Sequence, residues 1–87
     1  MKNYIKPWNE ESCRMLKQLS KNGRAYTHDM KFVREFSKRK TIREAADRDF
    51  FDIAHNRRKG KTWFVLSPNV SLKPIQRGRF FEWQKKF

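Results

Sequence analysis

The chain has 87 residues, with 22 Lys/Arg against 9 Asp/Glu and a formal net charge of +13, so it makes one small basic domain whose thin core leans on eight Phe and three Trp. A single cysteine, Cys13, excludes an internal disulfide, and His28 and His55 are too few to complete a zinc set, so no metal or other cofactor is expected. The longest apolar run, Trp63 to Leu66, is strand-sized, too short for a signal peptide or a membrane span; with the lone cysteine, a reducing cytoplasmic compartment is the default, nucleoid-associated in a bacterial or phage setting, and no membrane is expected among the partners.

The stretch PWNEESCRMLKQLSKNG reads as a first helix. Asn9 is an N-cap, Glu10 and Glu11 suit the positive end of the dipole, and Trp8 is placed to pack back as a staple. Cys13, Met15, Leu16 and Leu19 form a narrow apolar stripe, Lys17 and Lys21 favour the C-terminal end, and Gly23 supplies the stop. In AYTHDMKFVREFSKRK a second helix is expected, capped by Thr27, with Asp29 in its first turn and Met30, Phe32, Val33 and Phe36 on its buried side. A short polar turn, Ser37 to Lys40, follows.

Thr41 opens the third expected helix. Thr41 and Glu44 have capping-box spacing, and Ile42, Ala45, Ala46, Phe50, Ile53 and Ala54 recur at helical intervals, which predicts a helix over 41–58 stopped by Gly60. Beyond it, KTWFVLS is rich in aromatic and β-branched residues and reads as a strand. PNVSLKP reads as a loop between Pro68 and Pro74. IQRGRFFEWQKKF is expected to return as a strand over 78–83, with a short helix as the other option. The expected fold is mainly α: a three-helix helix-turn-helix over 7–59 with a short C-terminal β-hairpin, winged-helix-like, and a basic tail over 62–87, all in a single domain of residues 1–87.

The residues W-N-E-E, a Leu-spaced helix, K-N-G, and later K-R-K-T-I-R-E-A-A-D-R-D-F resemble the Myb/SANT-type, homeodomain-like helix-turn-helix family over about residues 7–54. The resemblance implies DNA binding with the third helix in the major groove. Departures are a longer stretch from Gly23 to Thr41, no middle tryptophan (Tyr26 stands near its place), and Phe50 or Phe51 in the place of the last one.

Charge points the same way. Residues 57–87 hold 9 Lys/Arg against 1 Asp/Glu, whereas residues 1–56 hold 13 against 8. So positive a field calls for an anionic partner, with nucleic acid, duplex DNA above all, the commonest and an acidic membrane or an acidic protein the other options. On a helical wheel, Arg43, Glu44, Asp47, Arg48, Phe51, Asp52, His55, Arg58 and Lys59 share the outward face of the third helix. Arg43, Asp47 and Arg48 are expected at base edges. Phe51 either touches a thymine methyl or a stacked base, or packs beneath the C-terminal strands. Asp47 with Arg43, and Asp52 with Arg48, have ion-pair spacing. Phosphate contacts are expected from Lys38, Arg39 and Lys40 before the helix, from Arg57, Arg58, Lys59 and Lys61 at its end, and from Lys73, Arg77, Arg79, Lys85 and Lys86 on the wing and tail.

No catalysis is expected. His55 suits the end of a helix, His28 and Asp29 suit the start of another, and no Gly-rich phosphate loop is present. The chain thus reads as a non-catalytic DNA-binding protein, a small transcriptional or DNA-associated regulator. One rival is a phage-type interaction protein that grips an acidic host protein. The other is RNA or single-strand binding through Trp63, Phe64, Phe80, Phe81 and Trp83.

Overall fold

Asn9 starts the first helix as its side chain dictates. In a computed structural model describing residues 3–85, helix α1 spans Glu10–Asn22. Asn9 Oδ1 accepts from the Ser12 backbone N–H at 2.8 Å, and Ser12 Oγ accepts from the Asn9 N–H at 3.0 Å, so two orphan donors are satisfied reciprocally. Gly23, at φ +74°, ends the helix in the left-handed region. Trp8 donates its backbone N–H to Ser12 Oγ at 2.9 Å. Its ring lies on Phe32 and Phe36, 6.2 and 5.7 Å away between centroids.

A strand that the sequence reading lacked follows, β2 at Arg24–Thr27, numbered after the short β1 at Tyr4–Ile5. Its alternation is plain once seen: Ala25 and Thr27 point inward, Arg24 and Tyr26 outward. Helix α2 spans Met30–Lys38, and Asp29, not Thr27, is its cap, accepting from the Phe32 N–H at 3.1 Å. Phe32, Val33 and Phe36 are buried as expected, but Met30 is exposed. The expected turn at Ser37–Lys40 shrinks to Arg39, whose extended backbone separates α2 from α3, Lys40–Asp47.

The third helix is where expectation fails most. Thr41 makes no cap; the N-cap position falls on Arg39, which has no side-chain capping bond. The helix stops at Asp47 because Asp49 adopts φ +60°. The Asp49 N–H donates to Ala46 O at 3.0 Å and the Phe50 N–H to Ala45 O at 3.0 Å. This is a Schellman termination with aspartate in the place glycine usually fills, closed by the buried pair Ala45 and Phe50. Residues expected to continue the helix become strand β3, Phe51–Asn56, which turns through 57–60 into β4, Lys61–Leu66. Residues 68–74, expected as a loop, supply most of β5, Val70–Ile75; a 3-10 turn at Gln76–Gly78 then leads to β6, Phe80–Lys85.

Two three-stranded antiparallel sheets result, in orders β2-β4-β3 and β1-β6-β5. The described residues are about 40% helical and 36% strand, which corrects the mainly-α class to α+β. The expected wing at 62–87 is also redrawn, since β4 is the centre of one sheet and β5 and β6 belong to the other. Pro74 is tolerated because β5 is an edge strand. Helix α1 packs on both β2 and β5, and α3 on both β1 and β3, so one core runs between the sheets. Phe36 is at its centre, 4.8 Å from Phe64 and 6.5 Å from Phe51 between ring centroids.

Candidate nucleic-acid interface

The exposed side of α2 and the root of the β3–β4 hairpin form a basic surface. Met30, Arg34 and Lys38 recur every fourth residue, so they share one face of α2. With Val33, Ser37, Arg43 of α3 and His55 of β3 they line an open groove of about 500 Å³. A second concavity, about 240 Å³, adjoins it and is lined by Met30, His55, Asn56, Arg57, Gly60, Lys61 and Thr62. Met30 and His55 belong to both, so the two make one continuous surface. No carboxylate lines either. Five cations do: Arg34, Lys38, Arg43, Arg57 and Lys61. Arg58 and Lys59 stand exposed at the hairpin tip beside them.

Two histidines brace the hairpin. Thr62 Oγ1 lies 3.0 Å from His55 Nδ1 and 3.6 Å from Met30 Sδ, which ties β4 to β3 and to α2. His28 Nδ1 lies 3.3 Å from Gly60 O and ties the tip to the β2–α2 connection. Gly60 itself sits at φ +58°, a conformation that the turn needs and most side chains resist.

Only some of the expected site residues meet. Lys38, Arg43, His55, Arg57 and Lys61 come together on this surface, with Arg58 and Lys59 at its tip. Lys40 is exposed at the start of α3, and Arg39 lays its guanidinium 4.3 Å from the Trp8 ring centroid. Asp47 ends α3, exposed. Arg48 turns away: its Nη1 donates to Asn3 Oδ1 at 3.1 Å, and its guanidinium lies 5.5 Å from the Phe50 ring. It therefore does not join Arg43 in the groove. Phe51 is not on an outward face. It is 4% exposed and stacked on Trp83 at 6.0 Å, which decides between its two readings in favour of packing. Arg77 and Arg79 lie at the β5–β6 connection, and Arg79 lines a separate concavity with Lys6 and Cys13. Lys73 and Lys85 are exposed on the second sheet; Lys86 lies outside the described residues.

The expected pairs Asp47–Arg43 and Asp52–Arg48 do not form. Among the described residues the salt bridge seen is Arg14–Glu11, 2.6 Å, on α1. There the Arg14 hydrogen bond holds the Glu11 carboxyl below its ordinary value of 4.5. Of the aromatics expected to meet single strands, Phe64, Phe81 and Trp83 are buried in the core. Arg34 was missed, although its position midway between Met30 and Lys38 is readable as a helical face. Tyr26 and Arg24 were missed because their strand was. No group of three or more His, Cys, Asp or Glu converges among the described residues, and no helix there is long and apolar enough to cross a membrane.

Comparison with known proteins returns no match: no family model, no curated protein and no solved structure matches the chain. The Myb/SANT-type resemblance of residues 7–54 rests on its quoted residues alone.

Proposed function

We propose that this chain binds duplex DNA without catalysis, through the groove between α2, α3 and the β3–β4 hairpin. The observation that carries this reading is the continuous acid-free surface lined by Arg34, Lys38, Arg43, Arg57 and Lys61. Arg34, Lys38, Arg57, Arg58, Lys59 and Lys61 take phosphates, and Arg43, on the short exposed face of α3, is the residue best placed to reach a guanine edge. A small DNA-associated or transcriptional regulator working in a cytoplasmic, reducing compartment fits this assignment.

Binding of labelled random duplex across a salt series tests it. About six neutralised phosphates give a slope of roughly −5 in log K against log salt. A flat slope, or no binding at low salt, overturns the DNA reading and favours an acidic protein as partner.

A further inference from the structure

Resting on that reading, we propose that the outer face of the β2-β4-β3 sheet receives an unpaired base of the bound DNA, stacked on Trp63 and flanked by Tyr26. These two residues are direct cross-strand partners, with ring centroids 5.0 Å apart and ring planes inclined at 49°. Tyr26 is 37% exposed, and Trp63 is half-buried. On the other flank the residue opposite Trp63 is Ala54, exposed and too small to cover an indole. Arg24, Gln18 and Asn22 close a concavity of about 360 Å³ around the two rings. Flat rings stack any base, amide side chains match the edges of one, and cations hold the phosphates on either side.

Lys61 joins this platform to the groove. Its Nζ lies 3.8 Å from the Tyr26 ring centroid and 4.8 Å from that of Trp63, and the same side chain lines the concavity beside Arg57. The Arg24 guanidinium stands 5.5 Å from the Trp63 ring. An arriving base takes the place of the Lys61 ammonium over the rings, and the ammonium moves to a phosphate of the same strand. A strand leaving the duplex in the groove thus passes Lys61 to reach Trp63. The acid on this face, Asp52, pairs across to Val65, beyond Trp63 as seen from Lys61.

The test compares a blunt duplex, the same duplex with a short oligothymidine overhang, and free oligothymidine, by anisotropy of labelled DNA and by intrinsic tryptophan fluorescence. Trp83 is buried and the Trp8 face is covered by Arg39, so a stacked base quenches Trp63 above all. The overhang is expected to bind about tenfold tighter than the blunt duplex and to quench the fluorescence. Trp63→Ala and Tyr26→Ala should each erase that preference and leave blunt-duplex affinity intact, while Trp63→Phe should keep it. Equal binding of overhang and blunt duplex overturns the base platform and leaves the groove reading standing. Quenching by oligothymidine without any duplex binding supports the platform and overturns the groove. Tighter binding of oligouridine RNA than of oligothymidine overturns the assignment to DNA, and a Trp63→Ala effect on oligomeric state instead of affinity overturns the base platform.

Discussion

Asp49 shows how much a single residue decides. Its left-handed backbone ends α3 and frees Phe51 to begin a strand. Aspartate tolerates that region better than most side chains, but glycine occupies it without strain. Asp49→Gly is therefore expected to raise the unfolding free energy by up to about 1 kcal/mol, and Asp49→Val to lower it by about 1–2 kcal/mol. Thermal or urea denaturation checks the order; a more stable valine variant would mean that the turn is not what stops the helix. The caps separate in the same assay. Asn9→Ala should cost about 1 kcal/mol, because its carboxamide holds the Ser12 N–H, whereas Thr41→Ala should shift stability by no more than about 0.5 kcal/mol, since Thr41 caps nothing. At the proposed DNA interface, Arg43→Ala should cost roughly 1–3 kcal/mol on a preferred site and little on random duplex. Arg48→Ala, whose guanidinium is engaged by Asn3 and Phe50, should leave both unchanged. A loss of affinity with Arg48→Ala would move the binding face to the opposite side of α3.

Among the elements, the β3–β4 hairpin carries the highest density of charge, four cations in residues 56–61 and no acid. Replacing Arg57 and Arg58 together by Ala should weaken all duplexes alike and reduce the salt slope by about two units, one for each lost phosphate contact. An unchanged slope would place the tip away from the backbone. This hairpin also shows what the sequence made legible. Helix α1 and strand β4 could be read from local signals, a strong cap and a dense aromatic run. Strand β3 could not, because Phe50, Ile53 and Ala54 satisfy a helical period while Phe51 and Ile53 satisfy a strand period equally well. Pairing with β4 decided between them, and pairing is a long-range fact. Strand β2 is four residues long, and β1 two, too short for a periodic signal. The site followed the elements. Cations close to the hairpin were readable as a cluster, but Arg34 and Tyr26 needed the fold to bring α2 and β2 alongside it.

At the scale of the whole molecule, a formal charge of +13 on a chain whose described residues have a radius of gyration of 12.2 Å sets the free protein against itself. Added salt screens that repulsion, so the melting temperature of the free protein should rise with ionic strength over the range in which the proposed DNA binding would weaken. Scanning calorimetry of the protein alone checks this, and a melting temperature that falls with added sodium chloride would show that attractive pairs outweigh the repulsion. The core that resists this charge is shared between two sheets through α1 and α3, so neither sheet has a hydrophobic interior of its own.

The pairing of β1 with β6 carries a mechanical consequence. Tyr4 lies opposite Glu82, Ile5 opposite Phe81, and the Trp83 N–H donates to Asn3 O at 2.8 Å. Residues 3 and 85 therefore lie at the same end of an antiparallel pair. Tension applied between them loads the hydrogen bonds one after another, as a zipper opens, and not all at once in shear. Pulled by these two points in an optical trap, the molecule yields first by peeling β1 from β6, at a force well below that of a sheet sheared along its strands.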